Sequence, residues 1–289
     1  MSSAAPRERS YTSADGLRLF FRDCGDDRSP LTPVLCLAGL TRNSSDFATL
    51  ARRLGPRRVI CPDLRGRGRS AHAADWRTYE PAVYLDDIRH LLALLGFGRV
   101  IVIGTSMGGL LGLAMAAAMP TSLAGLVLND VGPEIEAAGA AHVLRYVSKD
   151  RPVADWPSAV AHLKQLLPHM SLVADDDWLS FARGTYREHD DGRLHVDWDI
   201  ALARPLLHPV EPLPDLWALW QAARAIPILA IRGGVSDILS AGTLARMKAT
   251  KPDLRQVTLP GVGHAPVLNE PLAVKAIDDF LHLADHQRH

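Results

Sequence analysis

The stretch RVIVIGTSMGGLLGLAMAAA, residues 99–118, decides the predicted fold of this chain. Its first half is a run of Val and Ile, which is typical of a strand buried on both faces of a parallel sheet. Its second half is apolar on all sides, as a buried helix is. Gly104 and Gly108 flank Ser106 at the junction, where small residues permit a tight turn. We therefore predict a strand, a sharp turn and a helix, with the Ser106 hydroxyl projecting from the turn.

Similar short apolar runs elsewhere, most of them bounded by Gly, Pro or Asp, predict further strands of the same sheet. They lie at 17–23, 33–38, 57–62, 123–129 and 226–232, and the last predicted strand is 255–259. Helical periodicity over 80–95 predicts a helix between these strands, and a terminal helix is predicted to start near Asn269. Strands that alternate with helices indicate an α/β fold with a mostly parallel sheet flanked by helices.

The alternation stops near Pro133 and resumes near Ile226. The stretch between them contains five of the six tryptophans, scattered prolines and the acidic run Asp175–Asp177. We interpret 133–223 as a helical cap inserted into an α/β core made of 1–132 and 224–289. Its tryptophans are expected either to frame an apolar pocket or to form the core of the cap itself.

Composition excludes several classes of protein. Lys plus Arg and Asp plus Glu both number 32, so the net charge is zero, which argues against a nucleic-acid partner. The three cysteines lack metal-ligand spacing and are predicted to be free thiols in a reducing compartment. No signal peptide and no membrane-spanning run is visible, so we expect a cytoplasmic protein that does not bind membranes.

Nucleophilic catalysis by a serine needs a nucleophile, a base and an orienting carboxylate, and the sequence offers candidates for each. A serine hydroxyl such as that of Ser106 is a weak nucleophile and needs a base. His264 follows the last predicted strand in a Gly-rich loop, at the edge where α/β sheets place their sites. Asp237 follows the strand 226–232 and is the first candidate for the carboxylate that orients His264, while Asp130, after the strand 123–129, is a rival.

The order Ser106, Asp237, His264 and the turn around Ser106 resemble the α/β-hydrolase superfamily, and within it the small bacterial capped hydrolases and esterases. Residues 63–70 (DLRGRGRS) are similar to the D-x-R-G-x-G-x-S loop of that family, and Gly263-His264-Ala265-Pro266 matches as well. The resemblance covers roughly residues 15–132 and 224–284. It implies that Ser106 is the nucleophile, His264 the base and Asp237 the acid.

The resemblance also implies an oxyanion hole formed by the backbone N–H groups of Leu40 and Met107. One departure is visible here. The family usually has His-Gly after its third strand, whereas this chain has Ala38-Gly39. A backbone donor does not depend on its side chain, so the hole can persist, but hydrogen bonds that normally shape this loop are lost.

These features predict a serine hydrolase that acts on a carboxylic ester, lactone or thioester of a small, largely apolar substrate, with no cofactor or metal. Serine at the turn disfavours dehalogenases and epoxide hydrolases, which carry Asp there. Carbon–carbon bond hydrolases of aromatic degradation typically have Trp directly after the catalytic His, where this chain has Ala265. That activity and a small-molecule receptor that retains the fold are the alternatives.

Overall fold

The structure is a computed structural model that describes residues 5–208 and 214–286. Its strands are β1 (Arg7–Thr12), β2 (Arg18–Cys24), β3 (Val34–Leu37), β4 (Val59–Pro62), β5 (Val100–Thr105), β6 (Leu123–Asn129), β7 (Tyr186–Glu188), β8 (Leu194–Val196), β9 (Ile228–Gly233) and β10 (Arg255–Leu259). Eight of them form one sheet in the order β1-β2-β4-β3-β5-β6-β9-β10. From β4 to β10 all neighbours pair in parallel, and the two pairings of β2 are antiparallel. The predicted mostly parallel sheet is therefore confirmed.

The helices are α1 (Ala48–Arg53), α2 (Pro81–Leu94), α3 (Met107–Ala118), α4 (Ala137–Val147), α5 (Trp156–Leu166), α6 (Asp175–Arg183), α7 (Arg204–Leu207), α8 (Leu216–Ala222), α9 (Ala241–Thr250) and α10 (Pro271–His286). The longest, α10, has 16 residues, which is short of the roughly 20 that span a bilayer. No helix in the described ranges is long and apolar enough to cross a membrane.

Helices cover both faces of the sheet, and β3 shows how the sequence achieves this. Val34 and Cys36 pack in a cluster with side chains of α1 and α10, whereas Leu35 and Leu37 pack with α2, α3, α8 and α9. Successive side chains of a strand point to opposite faces, so a strand apolar at every position has two buried faces. All four residues of β3 are completely buried.

The edge strand β1 is not predicted by the apolar pattern. Five of its six residues are exposed, and its sequence RERSYT carries three charged side chains. Two of them, Arg7 and Arg9, form ion pairs with Asp23 of β2. Charged residues are common on edge strands because they discourage pairing with another chain.

The helices α4 to α8 and the hairpin β7-β8 lie between β6 and β9 in the sequence. Part of this stretch has a hydrophobic cluster of its own, built from Ala159 and Leu163 of α5, Trp178 and Ala182 of α6, and the hairpin residues Tyr186 and Leu194. Trp220 of α8 instead packs in the main core with α3. The division of the chain into a core and a cap at 133–223 stays a prediction.

Candidate active site

Ser106 lies at a sharp turn between β5 and α3. Its backbone angles, φ 52° and ψ −119°, place it in a strained region that L-residues rarely adopt. A Cβ on Gly104 would lie 2.3 Å from the carbonyl oxygen of Gly108, and one on Gly108 would lie 2.0 Å from that of Leu37. Glycine is therefore required on both sides of Ser106. The predicted strand–turn–helix around this serine is confirmed.

His264 lies in the loop that follows β10, with its side chain 16% exposed. Its Nε2 atom is 2.9 Å from Ser106 Oγ, although 158 residues separate the two in sequence. The loop is tied to the sheet by Asn129, whose side-chain amide donates to the carbonyl of Pro266 at 2.8 Å and to Thr105 Oγ1 at 3.0 Å. The structure thus brings together the two side chains that the sequence motifs single out.

The carboxylate beside His264 belongs to Asp130. Its Oδ2 is 2.7 Å from His264 Nδ1 and also accepts the hydroxyl proton of Ser236 at 2.6 Å. Its Oδ1 accepts the backbone N–H of Gly233 at 2.7 Å. Asp130 is completely buried. A buried carboxylate that accepts hydrogen bonds from all three groups is held in one orientation, which fixes the proton of His264 on Nδ1 and leaves Nε2 free to accept.

Asp237 lies elsewhere. Its carboxylate is 48% exposed and 3.6 Å from Nδ1 of His142 on α4. The prediction that Asp237 lies against His264 is therefore wrong. The chain turns directly after β9, where the N–H of Ser236 bonds the carbonyl of Gly233 at 3.1 Å, so that Ser236 rather than Asp237 faces the Asp130–His264 pair.

The order of the strands in the sheet explains why Asp130, and not Asp237, lies beside His264. Asp130 directly follows β6, which is the neighbour of β5, and a φ of 56° turns its backbone sharply at the strand end. The end of β6 is therefore one strand away from Ser106. Nothing in the sequence pattern singles out Ser236 or Asn129, and their only signal is that each directly precedes a candidate aspartate.

The two N–H groups predicted to form an oxyanion hole lie at neighbouring strand ends. Leu40 follows β3, and Met107 is the first residue of α3. A Cβ on Gly39 would lie 3.7 Å from Ser106 Cβ, so this loop passes close to the serine. Within residues 5–208 and 214–286, neither N–H has a hydrogen-bond acceptor. Their role in stabilising an oxyanion stays a prediction.

A cavity of about 630 Å³ adjoins Ser106 and His264. Apolar side chains dominate its wall and include Val143, Leu167, Met170, Phe181 and Leu268. Polar groups are interspersed, among them the Tyr146 hydroxyl, whose pKa is raised by burial so that it stays protonated. Tryptophans are absent from this lining in the described part of the chain. The interpretation that they frame the pocket is wrong, because Trp156 and Trp178 pack with the α5–α6 cluster and Trp198 and Trp220 in the main core.

The model of the alpha/beta hydrolase family matches residues 34–277. The chain belongs to the α/β-hydrolase family. A match of this length includes β3, the turn at Ser106, Asp130 and His264, so the predicted resemblance to the α/β-hydrolase superfamily is confirmed.

Several members of the family are similar over nearly the whole chain. A 3-hydroxybutyrate-oligomer hydrolase of Cupriavidus necator is 32% identical and covers 96% of this chain and 98% of its own. A 2-(acetamidomethylene)succinate hydrolase of Mesorhizobium japonicum is 28% identical, covering 86% and 87%. The crystal structure of an alpha/beta hydrolase from Novosphingobium aromaticivorans is 44% identical, with a TM-score of 0.89 and coverage of 97% and 99%. These similarities establish a hydrolase of the α/β fold.

Proposed function

We propose that this protein hydrolyses carboxylic esters through a covalent acyl-enzyme, with Ser106 as nucleophile, His264 as base and Asp130 as the orienting carboxylate. The observation that carries the proposal is the continuous line of hydrogen bonds from Ser106 Oγ to His264 Nε2 at 2.9 Å and from His264 Nδ1 to Asp130 Oδ2 at 2.7 Å. A base must lie within about 2.6–3.2 Å of the proton's donor atom, and this one does.

In the first half-reaction, Ser106 Oγ attacks the acyl carbon while its proton passes to His264 Nε2. Asp130 stabilises the imidazolium that results, because it already accepts the proton on Nδ1. The negative charge on the former carbonyl oxygen is stabilised by the N–H groups of Leu40 and Met107. The C–O bond to the alcohol then breaks, and His264 returns its proton to the departing alkoxide.

In the second half-reaction, water attacks the acyl-enzyme and His264 takes its proton. The second tetrahedral intermediate collapses with cleavage of the bond to Ser106 Oγ, which recovers its proton from His264. The products are a carboxylic acid and an alcohol, and the enzyme returns to its starting state.

The choice of an ester rests on the cavity and on one relative. The lining is more apolar than polar and also carries charges of both signs, on Arg42, Arg52, Asp46, Asp177 and Asp237. A pocket without a large excess of one charge suits a small uncharged ester better than a highly charged substrate. Oligomers of a hydroxy acid are joined by ester bonds, and the relative with 32% identity is a hydrolase of such oligomers. Short oligoesters of 3-hydroxybutyrate are therefore the first natural substrate class to test.

The test combines labelling and turnover. A fluorophosphonate should add one adduct to the peptide that contains Ser106, and p-nitrophenyl esters should give a burst followed by steady turnover. Ser106→Ala should abolish labelling and lower kcat by several orders of magnitude while the protein stays folded, because members of a triad act as a unit. Ser122→Ala, in the turn before β6, is the matched control and should behave as the wild type.

Three outcomes would overturn the proposal. Labelling at a serine other than Ser106 would place the nucleophile elsewhere. Turnover of a vinylogous ketoacid with carbon–carbon cleavage, and none of any ester, would favour the carbon–carbon hydrolase. Tight binding of an ester or lactone without burst or turnover would favour a receptor.

A further inference from the structure

Arginine occupies every second position from 65 to 69 in the loop that follows β4, and each of the three side chains has a different environment. Arg69 is half exposed and pairs with Glu8 at 2.6 Å. Arg65 is buried between two carboxylates, Asp15 at 2.8 Å and Asp87 at 2.7 Å. Arg67 is completely buried, and in the described chain no carboxylate lies within ion-pair distance of it. Burying a cation without a counter-ion costs free energy of folding, so Arg67 is expected to have a role beyond stability.

The contacts of Arg67 converge on the two residues whose N–H groups form the proposed oxyanion hole. Its Nε donates to the backbone carbonyl of Leu40. Its Nη2 lies 3.5 Å from Met107 Sδ and donates to the Tyr84 hydroxyl at 3.1 Å. Its Nη1 donates to the carbonyl of Arg65 at 2.8 Å, which holds the guanidinium within its own loop.

Two hydrogen bonds, one of them from Arg67, restrict the direction of the Leu40 N–H. The peptide that carries this N–H has the Gly39 carbonyl at its other side, and that carbonyl accepts the N–H of Arg42 at 3.1 Å. The next carbonyl, that of Leu40, accepts Arg67 Nε. The Gly39 carbonyl and the Leu40 N–H share one peptide plane, and the Leu40 carbonyl belongs to the next one. Because both carbonyls are held by hydrogen bonds, rotation of either peptide plane is restricted. Arg67 thereby supplies a brace in a loop where Ala38 replaces the histidine usual in the family.

We propose that Arg67 is a positioning residue of the oxyanion hole, which holds Leu40 and Met107 in place and leaves its positive charge uncompensated beside the site. The inference rests on the proposed function, because it matters only if an oxyanion forms there. A charge buried away from water acts more strongly than an exposed one, and donors that are held before the reaction need no reorganisation during it.

The experiment compares Arg67→Met with Arg69→Met, the same substitution two residues away. Misplacement of a catalytic group by about 1 Å can cost on the order of 10²-fold in rate, so kcat of Arg67→Met should fall by about 10- to 100-fold. KM should change little, because the ground-state ester depends less on the hole. The affinity of a boronic acid, which forms a tetrahedral anion on Ser106, should fall in parallel with kcat. Arg69→Met should leave all three quantities unchanged.

Two further variants protect the test against a folding defect. Arg67→Lys keeps the charge but loses the planar fork, and should recover part of the lost kcat. Tyr84→Phe removes only the hydroxyl that accepts from Nη2, and should lower kcat by a few-fold with a native melting temperature. If Arg67→Met fails to fold, these two variants alone decide the result.

The inference is overturned if kcat and boronate affinity stay at wild-type values in the folded Arg67 variants, or if KM rises while kcat does not change. Labelling separates this failure from that of the proposed function. If the wild type is not labelled at Ser106, the proposed function fails. If Ser106 is labelled and the Arg67 variants react as fast as the wild type, only the role of Arg67 fails.

Discussion

Two histidines in different regions of the molecule each lie between two hydrogen-bond partners, and in both cases one of the partners is an aspartate. His264, at the edge of the main sheet, lies between Asp130 Oδ2 at 2.7 Å and Ser106 Oγ at 2.9 Å. His195, on the hairpin strand β8, lies between Asp150 Oδ2 at 2.5 Å and Asp191 Oδ2 at 2.9 Å. Both side chains are about four-fifths buried, with 16% and 21% exposed.

The second partner decides what each imidazole can do. A carboxylate only accepts hydrogen bonds, so a histidine between two carboxylates must donate from both nitrogens and is favoured as the imidazolium. Two hydrogen bonds accordingly raise the pKa of His195, the larger contribution coming from Asp191 and the next from Asp150. A hydroxyl can donate, so His264 is able to keep a free lone pair on Nε2 toward Ser106. An Asp–His pair is therefore common to both regions, and the hydroxyl distinguishes the site that can act as a base.

The largest effect is expected when the carboxylate of Asp130, which binds His264, is removed. In Asp130→Asn the side chain can present an N–H to His264 Nδ1, which would move the ring proton to Nε2 and take away the acceptor for Ser106. By analogy with the equivalent change in serine proteases, kcat should fall on the order of 10⁴-fold. Steady-state kinetics on a p-nitrophenyl ester would measure this.

Asp237→Asn is the matched control for that experiment. Asp237 lines the cavity and faces His142, so its replacement should change KM at most and leave kcat near that of the wild type. A larger loss of kcat in Asp237→Asn than in Asp130→Asn would assign the orienting role to Asp237 and break the comparison between the two histidines.

The two aspartates also show how far the sequence could predict this site. The turn at Ser106 and the loop of His264 are local patterns of glycine and apolar residues, and the structure places them as expected. The choice between Asp130 and Asp237 depends on strand order, because β6 and not β9 is the neighbour of β5. Strand order is set by packing between distant segments, which neither periodicity nor spacing records. Sequence patterns also fail to predict β1, because its charged residues do not resemble a buried strand. They fail to predict the hydrogen bond from Arg67 to the Leu40 carbonyl, because 27 residues separate the two.

A smaller effect is expected when the support of Asp130 is weakened and its charge is kept. Ser236→Ala removes the hydroxyl that donates to Oδ2 at 2.6 Å. A hydrogen bond to a charged group is worth about 1.5–3 kcal/mol, and if roughly half of this acts in the transition state, kcat should fall about 3- to 10-fold.

Ser240→Ala provides the matched control, since this serine lies four residues further along and caps α9 through the N–H of Thr243 at 3.0 Å. Loss of an N-cap costs about 1 kcal/mol, so Ser240→Ala should lower the melting temperature and leave kcat unchanged. Equal kcat in the two variants would show that the Ser236 hydroxyl does not support the His264 pair.

The smallest effect concerns His195 and is one of stability. Because its pKa is raised in the folded protein, the ion pairs with Asp150 and Asp191 stabilise the fold fully at pH values below the unfolded pKa of about 6.5, as long as both carboxylates stay ionised. This contribution disappears as the pH rises through the raised folded pKa. The melting temperature of the wild type should therefore exceed that of His195→Gln most near pH 5 to 6, by a small margin because surface ion pairs are screened, and the difference should shrink toward pH 9. Amide exchange of β7 and β8 should report the same change locally.

His162→Gln on α5 is the control for this experiment. His162 has no carboxylate at ion-pair distance in the described part of the chain, so this variant should show no such pH dependence. A constant difference between wild type and His195→Gln across this range would mean that His195 is held by packing and not by its charge, and the contrast with His264 would then lose its electrostatic basis.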